Sequence, residues 1–343
     1  MIIAIIAGGS GTRLWPLSTP DYPKHLLHIN NDEHSLVQHT YERAKQLSEQ
    51  IYVISEAGHV EHVREQLPDI PDDHFIIEPA RRGTSSCIMA ALAYIDKQHG
   101  GEEPVAFMPA DHYIRDTVGF THSFKLADEV SKSEKRVVLV GVEPDYPATG
   151  LGYIQKGDVL SPDIFVYNVH SFKEKPDYDT AKKYVDSGNY LWNAGYFVGS
   201  PDTFKRVMKE DAPEMFANYE KLAKASGDAY NDLYLSFESI SIDYALMEKV
   251  KNLLVVPASF DWMDLGSFGE LHKAIGGDKE GNHLQGAVEA EEVTNSLLHN
   301  QEEKPIAVIG LDNVVVINTP QGILVARKDH AQKVGDVSKR FNK

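Results

Sequence analysis

Cysteine is almost absent from this chain. Its 343 residues include one, Cys87, so no disulfide can close within the chain and a reducing compartment fits. Cys87 lies in the apolar, helix-like run SSCIMAALAYI, where a thiol reads as a small packing group rather than a reactive one. Long apolar runs are missing too. Nothing approaches the roughly 20 residues of a membrane span. The short apolar run at the N-terminus has no basic segment before it and ends in glycine, which reads against a signal peptide. Positive charge is scarce: 34 Lys and Arg stand against 51 Asp and Glu, for a net charge of −17. Such a balance argues against a nucleic-acid binder, which needs a basic face. It leaves room for a small anion held by a few local cations. The 15 histidines are scattered, without metal-binding spacing such as H-E-x-x-H, and no nucleophilic triad is needed below. The expectation is a cytoplasmic protein with no membrane and no nucleic-acid partner.

The most informative stretch is IAIIAGGSGTRLWPLSTPDYPKHLL, residues 3–27. An apolar run, Ile2 to Ala7, has the length and composition of a buried strand. It breaks into Gly8-Gly9-Ser10-Gly11-Thr12-Arg13. Glycines let the backbone turn sharply and approach a ligand with no Cβ in the way, and successive N–H groups in such a loop can converge on an anion. Arg13 adds a planar cationic fork suited to phosphate oxygens. Lys24 adds a second cation behind Pro23, which stiffens its approach. The loop reads as a phosphate cradle, with an ordinary strand-to-helix turn as the bland alternative. Two familiar patterns fail. A P-loop ends in Gly-Lys-Ser/Thr, and here the run is Gly11-Thr12-Arg13. The dinucleotide pattern wants a third glycine where Leu14 stands.

Residues 1 to about 145 alternate strand-like segments (2–7, 51–55, 75–78, 105–108, 137–142) with helical ones (36–47, 60–67, 85–97, 120–131). That rhythm predicts a parallel sheet with helices on both faces, and ligands in such sheets sit beyond the C-terminal strand ends. Residues 146 to about 275 read as a mixed continuation. Strands are expected at 153–156, 165–172 and 190–198, and helices at 180–187, 201–209 and 242–249. A solvated helical stretch is expected from 213 to 234. After Gly276-Gly277 the chain turns to short alternating runs about ten residues apart, which suggests one strand per coil. The domains expected are 1–277 and 283–335.

GGSGTRLWPLS followed by PKHLL closely resembles the signature of sugar-1-phosphate nucleotidylyltransferases. The form with Trp15-Pro16-Leu17-Ser18 is similar to the mannose-1-phosphate guanylyltransferase branch. The resemblance covers essentially the whole chain. It implies an α/β fold of the nucleotide-diphospho-sugar transferase type: a Rossmann-like, mixed and mainly parallel sheet flanked by helices, with a short C-terminal left-handed β-helix. It also implies GTP and mannose 1-phosphate as substrates, Mg²⁺ as cofactor and a homodimer. Relatives with a fused isomerase domain carry it after the point where this sequence stops, so isomerase activity is not expected.

The resemblance further implies roles residue by residue. Gly8, Gly9, Ser10, Gly11, Thr12, Arg13 and Lys24 would hold the nucleotide phosphates, with Arg13 and Lys24 catalytic. Asp111 in PADH and Asp264 in DWMDLGS would bind the metal, each just past an apolar strand, with Asp111 also on the nucleotide side. Mg²⁺ takes one or two carboxylates and leaves its other positions to phosphates and water. Glu78, Thr84 and Ser85 in EPARRGTSS would face the base, where Gly83 departs from the family's usual Asn. A Glu78 carboxylate can accept from guanine N1–H and the 2-amino group; a loop cap is the alternative role. Gly150 and Tyr153 (ATGLGYI), Glu174 and Lys175 (FKEKP) and Asn193 (WNAG) would hold the sugar phosphate. Asp261 reads as accessory or structural, and His112 beside Asp111 as an orienting group.

Rival readings remain open at this level. The same chemistry on a heptose or glucose 1-phosphate is the nearest. A non-catalytic nucleotide-sensing subunit would be expected to lose Arg13, Lys24 or an Asp, and all are present. A nicotinamide oxidoreductase fails on the missing glycine.

Overall fold

The computed structural model describes residues 1–9, 11–30, 32–161 and 164–341. The strands are β1 (Ile2–Ala7), β2 (Ile51–Glu56), β3 (Phe75–Glu78), β4 (Val105–Pro109), β5 (Val138–Val142), β6 (Gly152–Ser161), β7 (Ile164–Lys173), β8 (Tyr190–Gly199) and β9 (Leu254–Pro257), then β10 (His283–Gln285), β11 (Val288–Glu291), β12 (Leu297–Asn300), β13 (Ile306–Ile309), β14 (Val314–Thr319) and β15 (Gly322–Arg327). The helices are α1 (Leu36–Lys45), α2 (Val60–Gln66), α3 (Gly83–His99), α4 (Thr117–Glu134), α5 (Tyr178–Ser187), α6 (Pro201–Asp211), α7 (Pro213–Leu222), α8 (Asp228–Ser236), α9 (Phe268–Ile275) and α10 (Val334–Phe341).

Two compact units emerge, and neither is continuous in sequence. The first holds Met1–Ala7, Thr40–Ala110 and Ile114–Trp262; the second holds Gly8–His39, Asp111–Tyr113 and Met263–Lys343. The first is built on one sheet in the order β3-β2-β1-β4-β8-β5-β9-β7-β6. Its β3-β2-β1-β4 half is parallel, as the alternation of strands and helices requires. Strand β8 enters antiparallel between β4 and β5. The parallel strands are apolar almost throughout and nearly fully buried, because helices cover both faces. The core is completed by α3, whose Cys87, Ile88, Ala91 and Leu92 are all buried. Cys87 is thus a packing residue, as read from its run.

The second unit carries a short β-helix. Strands β10, β12 and β14 stack in parallel in one sheet, closed by antiparallel β15, and β11 pairs with β13 in another. Residue partners lie 18 apart between β12 and β14 and between β11 and β13, as in Leu297 with Val315 and Val288 with Ile306, and 14 apart between β10 and β12. One coil therefore spends two short strands on two sheets, where the ten-residue spacing had suggested one. Polar side chains follow the same period: Asn318 Nδ2 donates to Asn300 Oδ1 at 2.9 Å and Thr294 Oγ1 to Asp312 Oδ1 at 2.7 Å.

Two other expectations are corrected. The segment read as a helix over 242–249 is a single π-turn, Asp243–Met247. The stretch read as solvated from 213 to 234 is two helices broken at Gly227, which takes φ +57°. Its Tyr219, Leu222 and Tyr234 are buried in the main core. Their spacing puts apolar residues on one face, diluted in sequence by the charged outer face.

Gly83 opens α3 with φ +78°, and a Cβ there would collide with the Ile240 carbonyl oxygen. Both the dihedral and the close approach require glycine. Gly83→Ala should cost about 1–3 kcal/mol, read as a lower denaturation midpoint at unchanged slope; an unshifted midpoint would contradict this packing.

Candidate active site

Within the second unit, the glycine loop is pinned before it meets any ligand. Gly9 and Gly11 take φ +100° and +57°. A Cβ on Gly11 would lie 2.6 Å from the Lys24 backbone nitrogen, so this glycine lets the Lys24 segment come against the loop. The Ser18 hydroxyl donates to the Gly11 carbonyl, and the chain then winds through a 3-10 turn at Thr12–Leu14. Leu14 and Trp15 anchor it in an apolar cluster with Leu265, Phe268 and Ile317. Ser10 lies outside the described residues.

Lys24 is 6% exposed and is surrounded by carboxylate. Its Nζ lies 2.8 Å from Asp111 Oδ2 and 3.5 Å from Asp264 Oδ1, and it donates to the Asp264 carbonyl as well. Arg13 Nη2 stands 3.6 Å from Asp264 Oδ2, with more than half of its side chain open to solvent. Reciprocal bonds between Tyr113 and Met263, both N···O 3.0 Å, hold the two Asp-bearing segments side by side. Burial works against charge on Lys24, yet Asp111 and Asp264 outweigh it and its pKa lies above the ordinary value. Burial likewise opposes charge on Asp111, but Lys24 holds its carboxyl well below the usual range. Two fixed cations and two fixed anions thus face one another at a point where three of the four side chains are at least partly accessible.

In the first unit, the segment from β3 into α3 uses most of its polar groups internally. Thr84 Oγ1 accepts from the Ile242 N–H at 2.9 Å, and the Ser85 N–H donates to the Ile240 carbonyl at 3.3 Å. Glu78 is 6% exposed. The Tyr234 hydroxyl donates to its Oε1. Burial pushes its pKa up to about 7, against partial relief from Tyr234. Any further donor to this carboxylate competes with the Tyr234 hydroxyl and the Cys87 thiol.

A second cluster of the first unit gathers around a bulge. The β5–β8 register shifts between Val140 and Gly141, skipping Ala194 and Gly195 on β8. Gly195 takes φ +73° there, and bulges of this kind re-aim side chains. Asn193 pairs with Gly152 on β6, and Glu174 follows directly on β7. Lys175 Nζ lies 2.8 Å from Glu174 Oε1, and Lys175 itself takes φ +44°, a costly conformation for a non-glycine residue. Glu174 is 5% exposed, and its Oε2 is buried with no hydrogen-bond partner. Burial, then the nearby Asp243 carboxylate, raises its pKa.

The nucleotidyl transferase family model matches residues 3–281, and that of the mannose-P isomerase/GMP-like β-helix domain matches residues 291–341. Mannose-1-phosphate guanylyltransferase RfbM of Salmonella typhimurium is 35% identical, with 96% of this chain and 70% of that one covered. The chain belongs to the nucleotidyl transferase family, in its mannose-1-phosphate guanylyltransferase branch. An Escherichia coli mannose-1-phosphate guanylyltransferase is 32% identical over 98% of this chain and 75% of its own. Among solved structures, the Thermus thermophilus protein described as mannose-1-phosphate geranyltransferase superposes with a TM-score of 0.88 at 28% identity, covering 100% of this chain and 99% of that one.

A nucleotidyl transferase needs cations opposite phosphate, and Arg13, Lys24, Asp111 and Asp264 lie together. No group of three or more His, Cys, Asp or Glu side chains among the described residues makes a ready metal cage. The pair Asp111 and Asp264 still fits Mg²⁺, which keeps few protein ligands and fills its sphere with phosphate oxygens and water. Asp261, by contrast, spends its carboxylate on Arg115 Nε at 2.8 Å and on the N–H groups of Arg115 and Asp116, a structural role.

Tyr153 is fully buried; it points to the face opposite its neighbour Gly152, since strand side chains alternate, and packs 5.4 Å from the Tyr184 ring. Gly150 has open space around it, whereas a Cβ on Gly152 would overlap Glu174 Oε2. Gly152 is therefore the glycine that the Glu174 carboxylate depends on.

The Glu78 carboxyl carries a pH signature. Its folded pKa of about 7 exceeds the ordinary 4.5, so the folded state binds this proton more tightly than the unfolded chain. That contribution is fully present below pH 4.5 and is lost as pH rises through 7, on the order of 3 kcal/mol in all. Glu78→Gln should flatten the fall in stability between pH 4.5 and 7 measured by urea titration. An unchanged slope would contradict the buried carboxyl.

Proposed function

We propose that this protein transfers a guanylyl group from GTP to α-D-mannose 1-phosphate, giving GDP-mannose and pyrophosphate. The observation that carries the reading is Lys24 held between Asp111 and Asp264 with Arg13 alongside. A phosphate oxygen of the sugar phosphate attacks the α-phosphorus of GTP. The bond from that phosphorus to the bridging oxygen of the β-phosphate breaks, and pyrophosphate leaves with the electron pair. Positioning and charge neutralisation do most of the work in such transfers, so no protein nucleophile is required.

The loop residues Gly8, Gly9, Gly11 and Thr12 would cradle the triphosphate, and Arg13 and Lys24 would offset its charge. Mg²⁺ held by Asp111 and Asp264 would supply Lewis-acid stabilisation of the phosphate oxygens. The paired carboxylates leave the four-residue cluster with no surplus positive charge, so a divalent cation is what a triphosphate there calls for. Glu78 would accept from the guanine edge. Glu174 and Asn193 would hold hexose hydroxyls, and Lys175 the sugar's phosphate. The buried, unpartnered Glu174 Oε2 supports this, because such an acceptor is costly until a donor reaches it. The reading also takes the protein as a cytoplasmic homodimer. No helix among the described residues is long and apolar enough to cross a membrane.

Pyrophosphate release with Mg²⁺ across four nucleoside triphosphates and the 1-phosphates of mannose, glucose and a heptose tests the substrates. Release is expected with GTP and mannose 1-phosphate; a different productive pair would replace the substrate assignment, and none at all would end the enzymatic one. In the same assay Lys175→Ala should raise KM for mannose 1-phosphate at least tenfold and leave KM for GTP within about twofold. Equal effects on both would remove Lys175 from the sugar-phosphate side.

A further inference from the structure

Asp243 entered neither the sequence reading nor the roles above. It opens the π-turn Asp243–Met247, and single π-turns occur disproportionately at functional sites. Its Oδ1 accepts from Asn193 Nδ2 at 2.7 Å. On the other side of the same carboxamide, Asn193 Oδ1 accepts from the Gly195 N–H at 3.2 Å. A carboxylate can only accept and a backbone N–H can only donate. The two contacts together fix which end of the amide is oxygen and which is nitrogen. One N–H of Nδ2 is consumed by Asp243 and the second stays free to donate.

Asn193 lies opposite Gly152 in the β6–β8 pairing. The space that a Gly152 Cβ would occupy is filled by Glu174 Oε2, and Asn193 Cβ lies 3.2 Å from the same point. The Asn193 side chain and the unpartnered Glu174 Oε2 therefore flank the same point beside Gly152. A pair of adjacent hydroxyls on a hexose satisfies both, donating from one oxygen and accepting on the next. The cationic Lys175, bonded to the other Glu174 oxygen, stands ready for the phosphate at the anomeric carbon.

We propose that Asp243 is a positioning residue of the sugar-phosphate site, holding the Asn193 carboxamide so that its free N–H donates to a hexose oxygen beside Glu174 Oε2. The inference rests on the assignment of Glu174, Lys175 and Asn193 to the sugar phosphate. Asp243 touches no reacting atom and acts through Asn193.

The experiment is a double-mutant cycle read in KM for each substrate. Asp243→Asn removes the obligate acceptor at nearly constant shape and lets the amide flip. It should raise KM for mannose 1-phosphate about tenfold with KM for GTP within about twofold. Asn193→Ala should do the same. The double variant should add less than twofold to Asn193→Ala, because coupled residues do not contribute independently. The exchange Asn193→Asp with Asp243→Asn preserves a bonded carboxylate–amide pair while turning an acceptor toward the sugar, so its KM for mannose 1-phosphate should stay high. Three results would overturn the proposal: an unchanged sugar KM in Asp243→Asn, multiplicative effects in the double variant, or a wild-type sugar KM in the exchange. The exchange carries the decision if Asp243→Asn does not fold. Lys175→Ala separates the two levels. A sugar-selective effect there with none in Asp243→Asn removes the inference about Asp243 and keeps the site. An unselective effect of Lys175→Ala removes both.

Discussion

One buried ammonium group organises the cluster beside the glycine loop. Lys24 cannot be charged at 6% exposure without partners, and it has two, Asp111 and Asp264. Those partners come from positions 111 and 264, so the contact can form only when three distant stretches of chain converge. Much of the local backbone serves that convergence. Gly11 admits the Lys24 segment against the loop. The Tyr113–Met263 bonds lock the Asp-bearing stretches in register, and Leu265, next to Asp264, accepts φ +49° to stay in place. Strain at one residue is tolerated because the surrounding contacts over-determine it.

The cluster around Glu174 obeys the same logic with the opposite sign. Glu174 and Asp243 bring two carboxylates into a poorly hydrated setting with Lys175 as the nearby cation. The result is an acceptor without a donor, in a fold that otherwise satisfies most of its buried groups. A bulge in β8, a missing Cβ at Gly152 and a left-handed lysine are the backbone devices that create it.

How much of this was legible follows from which interactions are local. Strands β1 to β5 were readable because burial on both faces leaves uninterrupted apolar runs, and the glycine loop because rare residue types cluster there. The residues of the phosphate cluster were nameable one at a time. What could not be seen was that Lys24 joins the two aspartates, since nothing in a sequence marks contacts across such distances. The π-turn at Asp243 was hidden because its apolar spacing resembles an ordinary helix. The β-helix period was halved because consecutive strands belong to different sheets, a fact with no trace in their spacing. Tyr153 and Gly152 differ by one residue, and a strand's two-residue period reverses their meaning.

Helix α10 gives the glycine loop a floor. Gly335 packs so closely that a Cβ there would lie 3.2 Å from Arg13 Cγ. Trp15 stacks on Phe341 with ring centroids 5.2 Å apart, and Gly322 of β15 leaves room for the Trp15 indole. The glycine loop and α10 therefore pack as one piece of architecture, drawn from distant stretches of the chain. During synthesis the ribosome releases the loop long before its support exists, so Arg13 acquires its setting only when α10 emerges.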